Sequence, residues 1–265
     1  MPFQPVGDVQ LYYEMIDWTE PWKSGRPPVL LIHGLGGDHR MWLYQVPALC
    51  GRFPILLVDL RGHGESSQPA LDFTVADMAR DLVRLLRSLG IERVHPVGLS
   101  LGGLVAQQLA LDYPFVAASL TLVGTFCDIP SEFADAARAA FDFIEAHDMA
   151  TVASARITNA FSDAVNPVMR GYFIERVAGN DKRTYTHAAR AIAAFSSADR
   201  LGEIDVPTLV VVGEDDRVTP PPLSETLAAR IGGARLSRIA SAGHICNLEQ
   251  PAVFNQALLQ FLEGL

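Results

Sequence analysis

From residue 8 to about 126, short apolar runs rich in β-branched residues alternate with longer segments whose apolar positions recur every three or four residues. The first pattern suits strands and the second amphipathic helices, so the alternation predicts a largely parallel sheet covered by helices on both faces. The expected strands are VQLYYEMI (9–16), VLLIH (29–33), ILLVDL (55–60), RVHPVGL (93–99) and ASLTLVG (118–124). Between the third and fourth, DMARDLVRLLRSLG carries a helical stripe that stops at Gly90, a residue free to adopt the left-handed conformation that closes helices. LGGLVAQQLALDYP predicts a further helix directly after Ser100.

The pattern changes near residue 127. To about residue 200 no strand-like run occurs, and segments such as SEFADAARAAFDFIEAH and RTYTHAARAIAAFSS place Ala, Phe and Arg at helical periods. Strands then resume with PTLVVVG (207–213) and ARLSRI (234–239), with helices expected near 220–231 and over PAVFNQALLQFL. The expected organisation is an α/β core, 1–127 and 201–265, interrupted by a helical insert, 128–200. Neither junction has a Gly/Ser-rich linker, and no internal repeat or low-complexity tract is present.

Composition narrows the function. Of 265 residues, 49% are hydrophobic and 19% charged, which suits a folded globular chain. The net charge of −9 leaves no basic patch for phosphates and argues against nucleic acid as a partner. The start, MPFQPVGDVQ, has no basic region followed by an apolar core, and no run spans a bilayer, so a cytoplasmic protein without membrane partners is expected. Cys50, Cys127 and Cys246 are odd in number and widely spaced, which predicts reduced thiols rather than a disulfide framework. No H-E-x-x-H or comparable ligand spacing occurs, and HGLGG lacks the G-x-G-x-x-G spacing of a dinucleotide site. Neither a metal nor an organic cofactor is expected.

The stretch GLSLGG (98–103) places one serine between glycines where a strand gives way to a helix. Serine is a common turn residue and a poor nucleophile until a base takes its proton. G-L-S-L-G nevertheless satisfies the G-x-S-x-G elbow, and both the preceding strand and the following helix are present. The helix N-terminus would then put free N–H groups beside a developing oxyanion.

With these pieces the chain resembles the α/β-hydrolase family over nearly its whole length. LIHGLGG (31–37) is similar to the family's oxyanion loop, VDLRGHGES (58–66) to its next strand and turn, and GLSLGG to its elbow. VVGEDDRVTP (211–220) is similar to the strand end bearing the triad acid, and SAGHICNLEQP (241–251) to the loop bearing the histidine. The resemblance implies Ser100 as nucleophile, His244 as general base, and the backbone N–H groups of Leu35 and Leu101 as oxyanion hole. The order Ser, acid, His agrees with this fold. For the acid, the G-x-x-D pattern from Gly213 ranks Asp216 ahead of its neighbour Asp215, and some relatives place the acid where Asp128 stands.

The remaining histidines have simpler readings. His33 shapes the oxyanion loop, His63 packs under the RGHG turn, and His95 lies within a strand. His147 and His187 lie on the insert as solvent-facing or pocket-lining residues, and His39 suits either a pocket wall or the surface. The resemblance makes the insert a cap over the site, where Phe141, Ile144, Phe161, Met169 and Phe173 divide between packing and cleft. Arg138, Arg156, Arg170, Arg176, Arg183 and Arg190 are each either solvated or able to clamp a substrate carboxylate.

The loop HICNLEQP and the closing helix resemble the esterase and 3-oxoadipate enol-lactonase branch. The expected activity is hydrolysis of a small, partly apolar carboxylic ester or lactone through an acyl-enzyme. Rival readings with the same triad are hydrolysis of a carbon–carbon bond in a ring-cleavage product, or haloperoxidase-type perhydrolysis. Dehalogenase chemistry would require aspartate in place of Ser100. A small-molecule receptor is the alternative outside enzymes.

Overall fold

The structure, a computed structural model, describes residues 2–70 and 72–265. Eight strands, β1 (Phe3–Pro5), β2 (Gln10–Ile16), β3 (Val29–Ile32), β4 (Ile55–Val58), β5 (His95–Leu99), β6 (Leu120–Val123), β7 (Thr208–Gly213) and β8 (Arg235–Ile239), form one sheet. Their order is β1-β2-β4-β3-β5-β6-β7-β8. β1 and β2 pair antiparallel to their neighbours, and every other pairing is parallel.

The helices are α1 (Gln45–Leu49), α2 (Val75–Ser88), α3 (Leu101–Asp112), α4 (Ser131–Ala146), α5 (Met149–Ala160), α6 (Pro167–Ala178), α7 (Lys182–Ala193), α8 (Pro221–Arg230), α9 (Cys246–Glu249) and α10 (Pro251–Glu263). Among the described residues no helix is long and apolar enough to cross a membrane.

The central strands are largely apolar because successive side chains point to opposite faces and both faces are buried. Along β3, Leu30 and Ile32 join the cluster that contains Met78 and Leu82 of α2 and Leu104 of α3. Val29 and Leu31 join the other, with Trp42, Phe254 of α10 and Ile157 of α5. Helix ends follow their sequence signals. Thr74 caps α2 in a reciprocal box with Asp77, and Gly90 at φ +68 lets the Ile91 N–H reach Leu86 C=O at 2.9 Å.

β1 was not among the expected strands, since FQP is too short to show alternation. β5 begins two residues later than its apolar run, where Val94 makes only an isolated bridge to Ala117.

Four helices, α4 to α7, fill the stretch between β6 and β7. Asp148, Asn166 and Asp181 cap α5, α6 and α7 by accepting from the N–H groups of Thr151, Val168 and Thr184. Phe161 and Phe173 are buried with ring centroids 6.0 Å apart, and Phe141 and Ile144 border a cavity.

The chain places β4 on one side of β3 and β5 on the other, so the direction of winding reverses between β3 and β5. The crevice beyond the carboxyl ends of two such strands is where open α/β sheets bind ligands. His33 to Leu35 follow β3 and Ser100 follows β5 at that crevice.

Candidate active site

Ser100 stands between β5 and α3 at φ 55, ψ −115, a left-handed backbone that few residues other than glycine adopt. Its N–H donates to Val123 C=O at 2.9 Å, and its own C=O accepts from Gly103 N–H at 2.8 Å and from the Thr125 hydroxyl at 2.9 Å. The flanking glycines are required by close approach. A Cβ on Gly98 would lie 2.1 Å from the Gly102 carbonyl oxygen, and one on Gly102 would lie 2.2 Å from that of Ile32. The turn is therefore held at its backbone. Among the described residues the Ser100 hydroxyl has no hydrogen-bond partner, so a bond to His244 is not formed in this structure.

His244 Nδ1 donates to Asp216 Oδ2 at 2.9 Å, and both side chains are buried. Asp216 Oδ1 accepts from the N–H groups of Val218 and Thr219, both at 2.8 Å. The Thr219 hydroxyl donates to Asp216 Oδ2 at 2.8 Å and lies 3.1 Å from His244 Nδ1. Burial works against ionisation of Asp216, but the His244 ring and the Thr219 donors outweigh it and hold the carboxyl below its ordinary range. Glu214 and Asp215 are exposed, as is Asp128, whose carboxylate accepts from Ile129 N–H. Of the acids weighed from sequence, Asp216 is the one in contact with His244.

The loop after β3 lies directly against the elbow, since a Cβ on Gly34 would be 3.3 Å from Ser100 Cβ. His33 fixes that loop: its Nδ1 donates to Gly34 C=O at 2.8 Å and its Nε2 accepts from Leu60 N–H at 2.9 Å. Burial keeps the ring neutral by lowering its pKa. Among the described residues the N–H groups of Leu35 and Leu101 have no protein acceptor, and both residues lie beside Ser100.

Ser100, His244 and Leu35 border one enclosed space of about 40 Å³, closed from above by Arg156 and Ile157 of α5, Phe173 and Arg176 of α6 and Tyr185 of α7. A second cavity of about 350 Å³ shares Ser100, Leu35 and Arg156 with it and runs beneath α4, walled by Phe133, Phe141 and Ile144. The helices over the site are bonded to its loops. Arg176 of α6 is paired with Asp38 through its Nε at 2.9 Å, and Asn180 donates to Gly36 C=O at 2.9 Å. The Ala160 carbonyl at the end of α5 accepts from His244 N–H at 2.7 Å.

The other histidines are accounted for. His39 is buried rather than on the surface and lines neither cavity beside Ser100, with Nδ1 2.9 Å from Asp59 Oδ1. Burial opposes its protonation, but the Asp59 carboxylate raises its pKa overall. His63 lies under its turn with Nδ1 on Arg61 C=O, and burial pulls its pKa down to about 4. His95 bonds the Ser119 hydroxyl, and burial again lowers its pKa to about 4. His147 is exposed and stacked on Phe143, and His187 accepts from Asp72 N–H.

Burial pushes the Cys246 thiol up, which leaves it a poor nucleophile. Among the described residues no group of three His, Cys, Asp or Glu side chains is placed to hold a metal ion.

Two contacts at the site were not read from sequence. Thr219 was signalled by its place three residues after Asp216, in a turn that the aspartate side chain closes by accepting from the N–H groups that follow it. Glu249 had no such signal. Its Oε1 accepts from Gly243 N–H at 2.9 Å and its Oε2 from Ser162 N–H at 2.8 Å, and Ser162 is 87 residues away.

Comparison with known proteins agrees with this fold. A family profile for the alpha/beta hydrolase fold matches residues 27–251. The chain is 30% identical to a protein of Azorhizobium caulinodans named "Putative carbamate hydrolase RutD", covering 98% of both chains. It is also 30% identical to 3-oxoadipate enol-lactonase 1 of Acinetobacter baylyi, over 90% of each. The solved enol-lactonase of Burkholderia xenovorans superposes with a TM-score of 0.90 at 29% identity, covering 99% of this chain and 100% of that one. The chain belongs to the α/β-hydrolase fold family.

Proposed function

We propose that the protein is a serine hydrolase that cleaves a carboxylic ester or lactone through an acyl-enzyme. The observation that carries this reading is the buried Asp216–His244 pair opening onto the same cavity as the strained Ser100. His244 Nε2 takes the Ser100 proton as Oγ attacks the carbonyl carbon, while Asp216 holds the Nδ1–H tautomer and offsets the imidazolium charge. The N–H groups of Leu35 and Leu101 receive the oxyanion. His244 then protonates the leaving oxygen, and the same imidazole activates the water that releases the acid. Ser100 reaches His244 by turning its side chain, and catalytic hydrogen bonds are often loose before substrate binds. The helices α4 to α7 act as a cap that excludes water and shapes the substrate space. The enol-lactonase among the relatives supports an ester-type bond, because a lactone is an internal ester.

A panel of p-nitrophenyl esters and lactones tests the reading with wild type and Ser100→Ala, together with mass-spectrometric detection of a fluorophosphonate adduct on Ser100. Turnover that needs Ser100 is expected. Equal turnover in Ser100→Ala, or an inert wild type that still binds ligand, would overturn it.

A further inference from the structure

The protein carries a net charge of −9, yet the walls around Ser100 are nearly free of carboxylates. The larger cavity has no acidic residue in its lining and two arginines, Arg156 and Arg217. The smaller has one carboxylate, Asp38, already paired with Arg176 and Arg40. Arg217 is paired with Asp163, and Arg190 with Glu145. Arg138 and Arg183 are exposed, and Arg170 donates to Ser162 C=O. Arg156 differs from all of these. It is partly buried on α5, borders both cavities together with Ser100, and has no carboxylate within ion-pair distance among the described residues. It borders the smaller cavity together with the buried Tyr185.

A guanidinium drawn partly out of water without a counter-charge is costly, and a planar fork of donors matches a carboxylate in two parallel hydrogen bonds. We propose that Arg156 binds a carboxylate of the substrate, so that the ester or lactone turned over is an anion with an apolar group beyond the scissile bond. The space of about 40 Å³ bordered by both Ser100 and Arg156 keeps that carboxylate within a few bonds of the reacting carbonyl. The apolar group occupies the cavity of about 350 Å³ under α4, whose Phe133, Phe141 and Ile144 offer it no polar partner. The short half-ester of a dicarboxylic acid with an aliphatic alcohol fits both demands.

This rests on the proposed ester hydrolysis, so the test separates the two. Monobutyl succinate and butyl butyrate differ by a carboxylate in place of a methyl group, and their hydrolysis is followed by acid release. Wild type is expected to favour the succinate at least about tenfold in kcat/KM, the size of effect a charge-assisted pair confers. Arg156→Gln is expected to erase that preference, and Arg156→Lys to restore part of it. Because the readout is a ratio of two substrates on one variant, general damage to the fold cancels. A ratio unchanged by Arg156→Gln, or a wild type that favours butyl butyrate, overturns the role of Arg156 and leaves ester hydrolysis standing.

Cleavage of neither ester, with the p-nitrophenyl ester and lactone panel also inert, overturns the hydrolase reading instead. Calorimetric binding of N-butylsuccinamate against N-butylbutanamide then decides on Arg156 without turnover. At least about tenfold tighter binding of the anion that is lost in Arg156→Gln supports the role, and equal binding overturns it.

Discussion

The backbone N–H of His244 donates to the carbonyl of Ala160 at 2.7 Å, which bonds the loop carrying the imidazole to the last turn of α5. Glu249 reinforces the join by accepting from Gly243 on one side and Ser162 on the other. The imidazole is thus referenced to the helix that also carries Arg156, rather than to its own loop alone. Glu249→Gln replaces one accepting oxygen with an NH₂ group that faces a donor. It is expected to lower kcat about ten- to hundredfold, the scale of a misplacement near 1 Å, with little change in KM. Unchanged kcat with only a lowered melting temperature would reduce Glu249 to a structural tie.

Asp216 is the one member of the Glu214-Asp215-Asp216 run that is buried against His244. Asp216→Asn would offer the Nδ1–H an amide instead of a charge and favour the wrong tautomer. Turnover is expected to fall on the order of a thousandfold or more, while Asp215→Asn stays within about twofold of wild type. Steady-state kinetics on one ester decides between them, and comparable losses in both variants would contradict the geometry.

The buried rings of His63 and His95 set an acid limit on stability. Each has a folded pKa near 4, below the value of about 6.5 in an unfolded chain, so the unfolded state binds the extra proton first. Stability from these groups is present above about pH 6.5 and drains away as pH falls toward 4. His39, whose pKa Asp59 raises, runs the opposite way and loses its contribution as pH rises through its folded value. Between pH 7 and 5, His95 alone is expected to remove about 2 kcal/mol. Urea denaturation at both pH values should show a smaller pH-dependent loss in His95→Gln by about that amount. An equal loss in both proteins would show that His95 is protonated when folded.

Much of this architecture is legible along the chain because burial on both faces makes β3 and β4 read as unbroken apolar runs and β5 to β7 as largely apolar ones, with VLLI feeding two cores at once. The turn at Ser100 and the meeting of Asp216 with His244 are legible from the order of their motifs. Contacts joining distant segments are not. His39 meets Asp59, and Glu249 meets Ser162, through turns that bring 20 and 87 residues of chain back on themselves. Arg156 shares its residue type and helical setting with five other insert arginines. Its place on both cavities beside Ser100, with no carboxylate in ion-pair distance among the described residues, sets it apart, and that is a property of neighbours rather than of sequence.

The elbow's glycines separate steric need from mere turn preference. A Cβ on Gly102 would lie 2.2 Å from the Ile32 carbonyl oxygen and 2.7 Å from that of His33, and both are backbone atoms that cannot swing aside. Helix α3 would have to retreat from β3, which would move Leu101 N–H away from the proposed oxyanion hole and open the core around Leu104. Gly102→Ala is therefore expected to cost at least about 3 kcal/mol and to abolish turnover in whatever fraction folds. Gly232 has nothing within 4 Å of an added Cβ, so Gly232→Ala is expected to change stability by less than about 1 kcal/mol. Parallel urea melts of the two variants measure the contrast, and a Gly102→Ala protein as stable and active as Gly232→Ala would show that α3 does not need to approach β3 so closely.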